Sequence, residues 1–472
     1  MKKRNVLRSV MCVVLAGAMM CGCSPKKDDG ASKTDAGSGA AQEQSSANGS
    51  DVESAEGGEQ VVLKWYTETD EVSNKNVYKT QEIADAFMKK YPNVKVEVQP
   101  LVANTNNEEY AKKVDLMLAS GEQIDIMNFS SSSNVVQKIN AGVLEPLNEY
   151  AEYRGVDLKN DYKGAMEVDG KIYQIVNQDS AYIVFINEDM LKEAGLENPP
   201  IDWTWEGYAD YAKKLTKGEG RDKVYGSYFH TWNDFYQIGT LGVIPGNSFY
   251  KEDGSANFDH PAIKGFMEFR NQIENVDQIS MPYIDIKTQN LAYRSLFFDS
   301  KVAMMPQGTW MLTDIKDQEK YPHTFRTTFA TLPRYDETAT PNTTISTYGL
   351  GYCVNANSKH KQEAFDLINF ITSEGYNISK AFLSPWKEAD HAAIAASIMG
   401  EDQSLYDLDA FNKVMYESDM IENNKTYIPV YDREIDAIQA EEGEKYLTGL
   451  QDIDTTISNM QTRATEIIEK NK

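Results

Sequence analysis

The sequence predicts an α/β protein, with helices packed on both faces of a sheet. Two observations carry this. From Val61 to Gly142, runs of strand formers alternate with amphipathic helical segments in the order β-α-β-α-β-α. Nearly every change of element coincides with a capping residue, a proline or a glycine. A third observation sets the scale: 472 residues, 41% of them hydrophobic, are enough for genuine cores and suggest two or three domains.

Taken in order, Val61 to Tyr66 is a run of strand formers. The helix after it carries Ile83, Ala84, Phe87, Met88 and Tyr91 on one face, and Pro92 stops it. Val94, Val96 and Val98 alternate with polar residues, the period-2 pattern of a half-buried strand. A helix with Tyr110, Val114, Met117 and Leu118 ends before Gly121, and Ile124 to Met127 is the next strand. Ser130 to Ser133 offer N-caps to a helix bearing Val135, Val136 and Ile139. Further on, Ile183 to Ile186 and Lys301 to Met305 read as strands. Trp205 to Leu215, a segment from Pro261, and Glu363 to Thr372 read as helices. Asp452 caps a long final helix with Ile453, Ile457, Met460, Ala464 and Ile467 inward.

The first 22 residues lie outside this pattern. Lys2, Lys3, Arg4 and Arg8 precede an apolar run from Val10 to Met20, the layout of a signal peptide too short to span a bilayer. The segment Met20-Cys21-Gly22-Cys23-Ser24 resembles a bacterial lipobox and makes Cys23 the expected lipidated N-terminus. Residues 23–58 contain almost no large apolar side chain, so they are expected to form a disordered tether with a reach of roughly 30–35 Å. No later stretch approaches the length of a membrane span.

Composition narrows the functions. Forty-seven bases against 72 acids give a formal charge of −25, and loss of the signal peptide takes this to −29. Such a chain is unsuited to nucleic acid, whose phosphates require basic surfaces. Of four cysteines, two leave with the signal and one carries lipid. Cys353 then remains alone, in a strand-like setting that reads as core. No Gly-x-Ser-x-Gly elbow, His-Glu-x-x-His or phosphate-binding loop is present, and Gly349-Leu350-Gly351 lacks a third glycine. Asp253 to Lys264 has the outline of a calcium loop, but Phe258 stands where glycine is needed and Lys264 where glutamate is needed, so it reads as a turn. Neither a metal nor a cofactor is expected, and nothing selects a catalytic residue.

The body resembles the extracellular solute-binding proteins of ABC importers, in particular the sugar-binding family 1. The matching residues are Ala86 to Val96, Leu118 to Ile126, Tyr173 to Leu191, Pro199 to Glu206, Ser300 to Trp310, and Tyr446 to Gly449 with the helix that follows. Ile124, Ile175 and Ser300 depart from the usual Pro, Pro and Gly. The resemblance implies a type II periplasmic-binding-protein-like fold of two α/β lobes around a ligand cleft. Lobe 1 would hold residues 59–179 and 350–384, and lobe 2 residues 183–346 and 388–472, with hinge crossings near Ser180, Thr347 and Pro385. It implies a lipid-anchored monomer on the outer face of the cytoplasmic membrane that captures a carbohydrate, closes, and docks on permease subunits. A polyamine or other small solute is the alternative within the fold. A glycan-processing enzyme, which would need a positioned carboxylate pair, and a sensory binding protein are alternatives outside it.

Sugars present apolar C–H faces and a rim of hydroxyls, so aromatic platforms and short polar side chains suit them. Trp310, after the Gly308-Thr309 turn, and Trp232, in a polar loop, are the leading candidates, with Trp386 beside Pro385. Tyr66, Glu68 and Asp70 leave the first strand towards the cleft. Phe129 and Ser130 open a helix, Asp179 and Tyr182 flank the first crossing, and Tyr348 marks the second. Trp65, Trp203 and Trp205 read as core.

Overall fold

The computed structural model describes residues 60–103, 106–244, 249–339, 344–345, 351–417, 421–422 and 428–471. All of them belong to one compact unit, Gly58–Lys472. Cys23 and Tyr348 lie outside the described residues, as does the crossing near Thr347.

Strands fall into two sheets. The first contains β1 (Val61–Thr67), β2 (Val94–Pro100), β3 (Ile126–Phe129), β4 (Met166–Val168), β5 (Lys171–Val176) and β11 (Gly351–Val354), in the order β2-β1-β3-β11-β5-β4. Its three N-terminal strands run parallel, with Val61 opposite Val94, and the rest pair antiparallel. The second sheet has the order β12-β10-β6-β8-β7, from β6 (Ala181–Asn187), β7 (Tyr225–Ser227), β8 (Val302–Gly308), β10 (Thr344–Ile345) and β12 (Ile421–Glu422). β9 (Thr327–Ala330) pairs antiparallel with β6.

Both sheets are covered on both faces, as the alternation along single strands demonstrates. In the first, Ile126 and Val354 belong to one apolar cluster and Met127 and Cys353 to the other. In β6, Ile183 and Phe185 pack on one side, Tyr182, Val184 and Ile186 on the other. A period of two then gives two buried faces instead of one. Helices Thr80–Lys90 and Lys361–Phe370 cover one face of the first sheet, and Asn107–Ser120 and Ser132–Asn140 contribute to the other.

The caps follow the sequence closely in places. Asp452 accepts the Thr455 N–H at 2.8 Å and starts helix Ile453–Lys470. Asn106 does the same for Glu109 at 2.9 Å. The serine run behaves differently from expectation. Ser131 occupies the N-cap of Ser132–Asn140 without a side-chain capping bond. Ser133 instead donates to Asp432 at 3.0 Å, a residue of helix Asp432–Leu447 that packs with the second sheet's elements. Ser133 is already the second residue of the helix, past the N-cap, so its hydroxyl is available to the carboxylate.

The chain passes from the first sheet to the second between Val176 and Ala181, and returns between Ile345 and Gly351. A third passage follows helix Tyr376–Ser379. It is tied to the first by the Asp179 N–H bonding Leu383 O at 2.9 Å. Trp65, Trp203 and Trp205 are all buried, at 5% exposure or less. Cys353 is fully buried, and burial pushes its thiol far above the usual range, which removes it as a nucleophile. The Asp253 segment is a turn, with Lys251 and Ser255 bonded across it at 2.8 Å. Among the described residues no helix is long and apolar enough to cross a membrane.

Candidate functional site

The second half builds an aromatic platform from three separate segments. β8 ends at Gly308 and turns into a short 3-10 helix, Thr309–Asp314, that sets Trp310 over its own strand end. A side chain at Gly308 would meet the Trp310 ring at 2.1 Å, so glycine is required there for close approach. Trp232 lies in the loop after β7, 6.0 Å from Trp310 and 5.8 Å from Tyr293 between ring centroids. His230 stacks beneath Trp232 at 3.8 Å. Burial, then the charges of Arg270 and Arg294, lowers the His230 pKa to about 3, so the ring is neutral and stacks without a charge to solvate. Tyr182 meets Trp310 edge-on at 5.4 Å and donates its hydroxyl to Asp234 at 3.1 Å. Trp232 remains 41% exposed, an unusual state for so large an apolar ring when its neighbours Tyr182 and Tyr293 are buried.

The first half contributes a small pocket lined by Glu68, Thr69, Tyr78, Asn128, Asn177 and Tyr352, among others. Glu68 follows β1 and is 5% exposed, and burial raises its pKa to about 7. Tyr78 stacks on Phe382 at 5.2 Å. It feels the charge of Glu68 on its own half and of Arg294 and Asp314 on the other, so it stands where the two halves face each other. Arg294 is paired with Asp314 at 2.5 Å and lies over the Tyr293 ring.

Of the residues singled out in the sequence, the structure brings together Trp232, Trp310 and Tyr182 on one half and places Glu68 in the pocket of the other. Asp70 caps the short helix Glu71–Ser73, accepting the Ser73 N–H at 2.9 Å. Ser130 is partly exposed at the end of β3. Four expectations change. Tyr66 is 4% exposed in the first core and donates its hydroxyl to Glu122 at 3.2 Å; burial on both faces of β1 takes it out of the cleft. Phe129 belongs to the same core and packs on Tyr110. Trp386 packs edge-on against Tyr162 at 5.0 Å, on the first core beside the crossing. The Asp179 carboxylate is buried at the first crossing and held by Lys163 at 2.6 Å, which makes it a tie of the hinge segment. Tyr293, Asn128, Asn177 and Tyr78 were not anticipated. No local pattern in the sequence marks them.

Two α/β halves around a cleft, joined by crossing segments, are the type II periplasmic-binding-protein-like architecture. A family model for bacterial extracellular solute-binding proteins matches residues 82–381, and the chain belongs to that family. It is 24% identical over 268 residues to a multiple sugar-binding protein of Streptococcus mutans, covering 52% of this chain and 57% of that one. The chain spans about three-fifths of the length of the curated relatives it matches. Among solved structures, a sugar transporter from Rhizobium etli in an open conformation aligns with a TM-score of 0.69 at 24% identity, over 87% of this chain and 99% of that one. An ABC substrate-binding protein of Listeria monocytogenes in complex with cycloalternan aligns with a TM-score of 0.69 at 20% identity and the same coverage. A protein of Mycobacterium tuberculosis in complex with glycerophosphocholine gives 0.67 at 16%, again with the same coverage. These likenesses establish the fold, and the fold alone does not choose the ligand.

Proposed function

We propose that this chain is the lipid-anchored receptor of an ABC importer, capturing an extracellular carbohydrate, an oligosaccharide, between two lobes and delivering it to membrane permease subunits. The lobes are residues 59–179 with 350–384, and 183–346 with 388–472. The observation that carries the reading is the half-exposed Trp232 on its platform of His230, Trp310 and Tyr293. A flat indole held rigid from below and open above is suited to the C–H face of a pyranose, and the exposed Asp234, two residues on, offers a carboxylate to hydroxyls. The sugar-bound relatives support the same choice. Cys23 anchors the monomeric receptor on the outer face of the membrane, and Cys23→Ser should release it into the medium.

Calorimetry against a panel of oligosaccharides, amino acids and peptides tests the ligand class. Trp232→Ala should weaken the best sugar on the order of thirtyfold, the loss expected for an aromatic anchor. A panel in which no carbohydrate binds would sink the reading.

A further inference from the structure

The pocket of the first half has a one-sided polar lining. Oε2 of Glu68 is buried without a hydrogen-bond partner, and so are Oδ1 of Asn128 and Oδ1 of Asn177. All three residues line the same pocket. Against these three acceptors stands one buried donor without a partner in the lining, the indole N–H of Trp65.

Charge points the same way. A buried carboxyl without a cation costs several kcal/mol to ionise. No lysine or arginine figures among the groups acting on Glu68; burial raises its pKa and only its own backbone opposes. Arg294, which acts on the adjacent Tyr78, is already held by Asp314. In the free protein a proton neutralises Glu68, and a cationic group of a ligand can take that proton's place and leave the carboxylate ionised.

Donor counting selects its chemistry. A hydroxyl brings one donor and two acceptor lone pairs, whereas an ammonium brings three donors, no acceptor and a charge. A divalent cation calls for more than one carboxylate, and among the described residues no three His, Cys, Asp or Glu side chains gather to hold one.

We propose that this pocket receives a primary ammonium group of the ligand, with Glu68 as its counter-ion and the amide oxygens of Asn128 and Asn177 as the other two acceptors. The solute is then an amine-bearing one. Resting on the carbohydrate reading for the remainder of the ligand, it is an amino sugar, whose hydroxyl on the neighbouring carbon supplies the acceptor that Trp65 lacks. A linear polyamine shares the ammonium but not that hydroxyl.

The test is calorimetry on the mature chain with glucosamine, N-acetylglucosamine and glucose oligosaccharides of matched linkage, and with spermidine. Glucosamine oligomers should bind tighter than the two neutral series on the order of tenfold to a hundredfold, the weight of a charge-assisted set. Glu68→Gln should bring that ratio close to one. Asn177→Asp, which adds a second carboxylate at a partly exposed position, should widen it. Equal affinity for amine and neutral sugars overturns the ammonium site and leaves the carbohydrate reading standing. Binding of spermidine with no response to any sugar overturns the carbohydrate reading and supports the site. An amine preference that survives Glu68→Gln overturns the assignment of Glu68.

Discussion

Glu68 connects a buried charge to the stability of the whole chain. Folding raises its pKa from 4.5 to about 7, because burial disfavours the ionised form. Between these values the native protein holds a proton that the unfolded chain has released. Its contribution is thus fully present below pH 4.5 and is lost as the pH rises to about 7. Glu68→Gln abolishes that slope. The variant should gain on the wild type by on the order of 3 kcal/mol between pH 4.5 and 8 in urea unfolding. Parallel stability curves for the two proteins across this range would contradict the buried, unpaired carboxyl. The same residue shows what could be read in advance. Its place at the end of the first strand is visible in the sequence, but its burial depends on residues such as Tyr352 and Phe382, hundreds of positions away.

At the scale of elements, β8 and the turn after it decide where the platform stands. Tyr182 pairs with Gly308 in register, and Trp310 folds back over the same glycine. Gly308→Ala puts a methyl group into the indole, so Trp310 must leave its position or the strand end must shift. We expect a loss of about 1–3 kcal/mol in stability, the usual cost of overpacking. Affinity for the proposed sugar ligand should fall with it, by roughly tenfold or more, as the ring leaves the platform. Calorimetry and thermal unfolding on one sample read both, and an unchanged affinity would place Trp310 outside the site. Elements were the most legible part of the sequence: alternating valines in β2 and the Asp452 cap are local signals, and local interactions make them. Which strand residues face a cleft is a different matter. β1 and β3 are buried on both faces, so period two separates two cores from each other and does not mark the cleft, which is why Tyr66 and Phe129 lie in a core. Trp232, Trp310 and Tyr293 meet only through folding, and the sequence marks the first two as tryptophans that follow strand-like runs and the third not at all.

For the whole molecule, the telling contacts are those between the halves. Asp432 is 3% exposed and accepts Ser133 of the first half at 3.0 Å and Tyr250 of the second at 3.0 Å. Arg433 and Glu108 pair nearby at 3.3 Å, on the surface. Opening of the proposed lobes would break the first of these, and a hydrogen bond to a charged group is worth about 1.5–3 kcal/mol. Asp432→Ala should move the unliganded protein towards the open form, raising its radius of gyration in small-angle scattering and weakening ligand by roughly tenfold, since only preference for the closed state drives closure. Identical scattering profiles for variant and wild type would remove Asp432 from the balance.

The bond from Ser133 to Asp432 acts on departure far more than on arrival. In the proposed closure ligand enters before the halves meet, so the association rate should not feel this bond, whereas escape should wait until a buried carboxylate is returned to water. For the receptor proposed above, the lifetime of the loaded state is thus expected to depend in part on the hydroxyl of Ser133, the second residue of a helix.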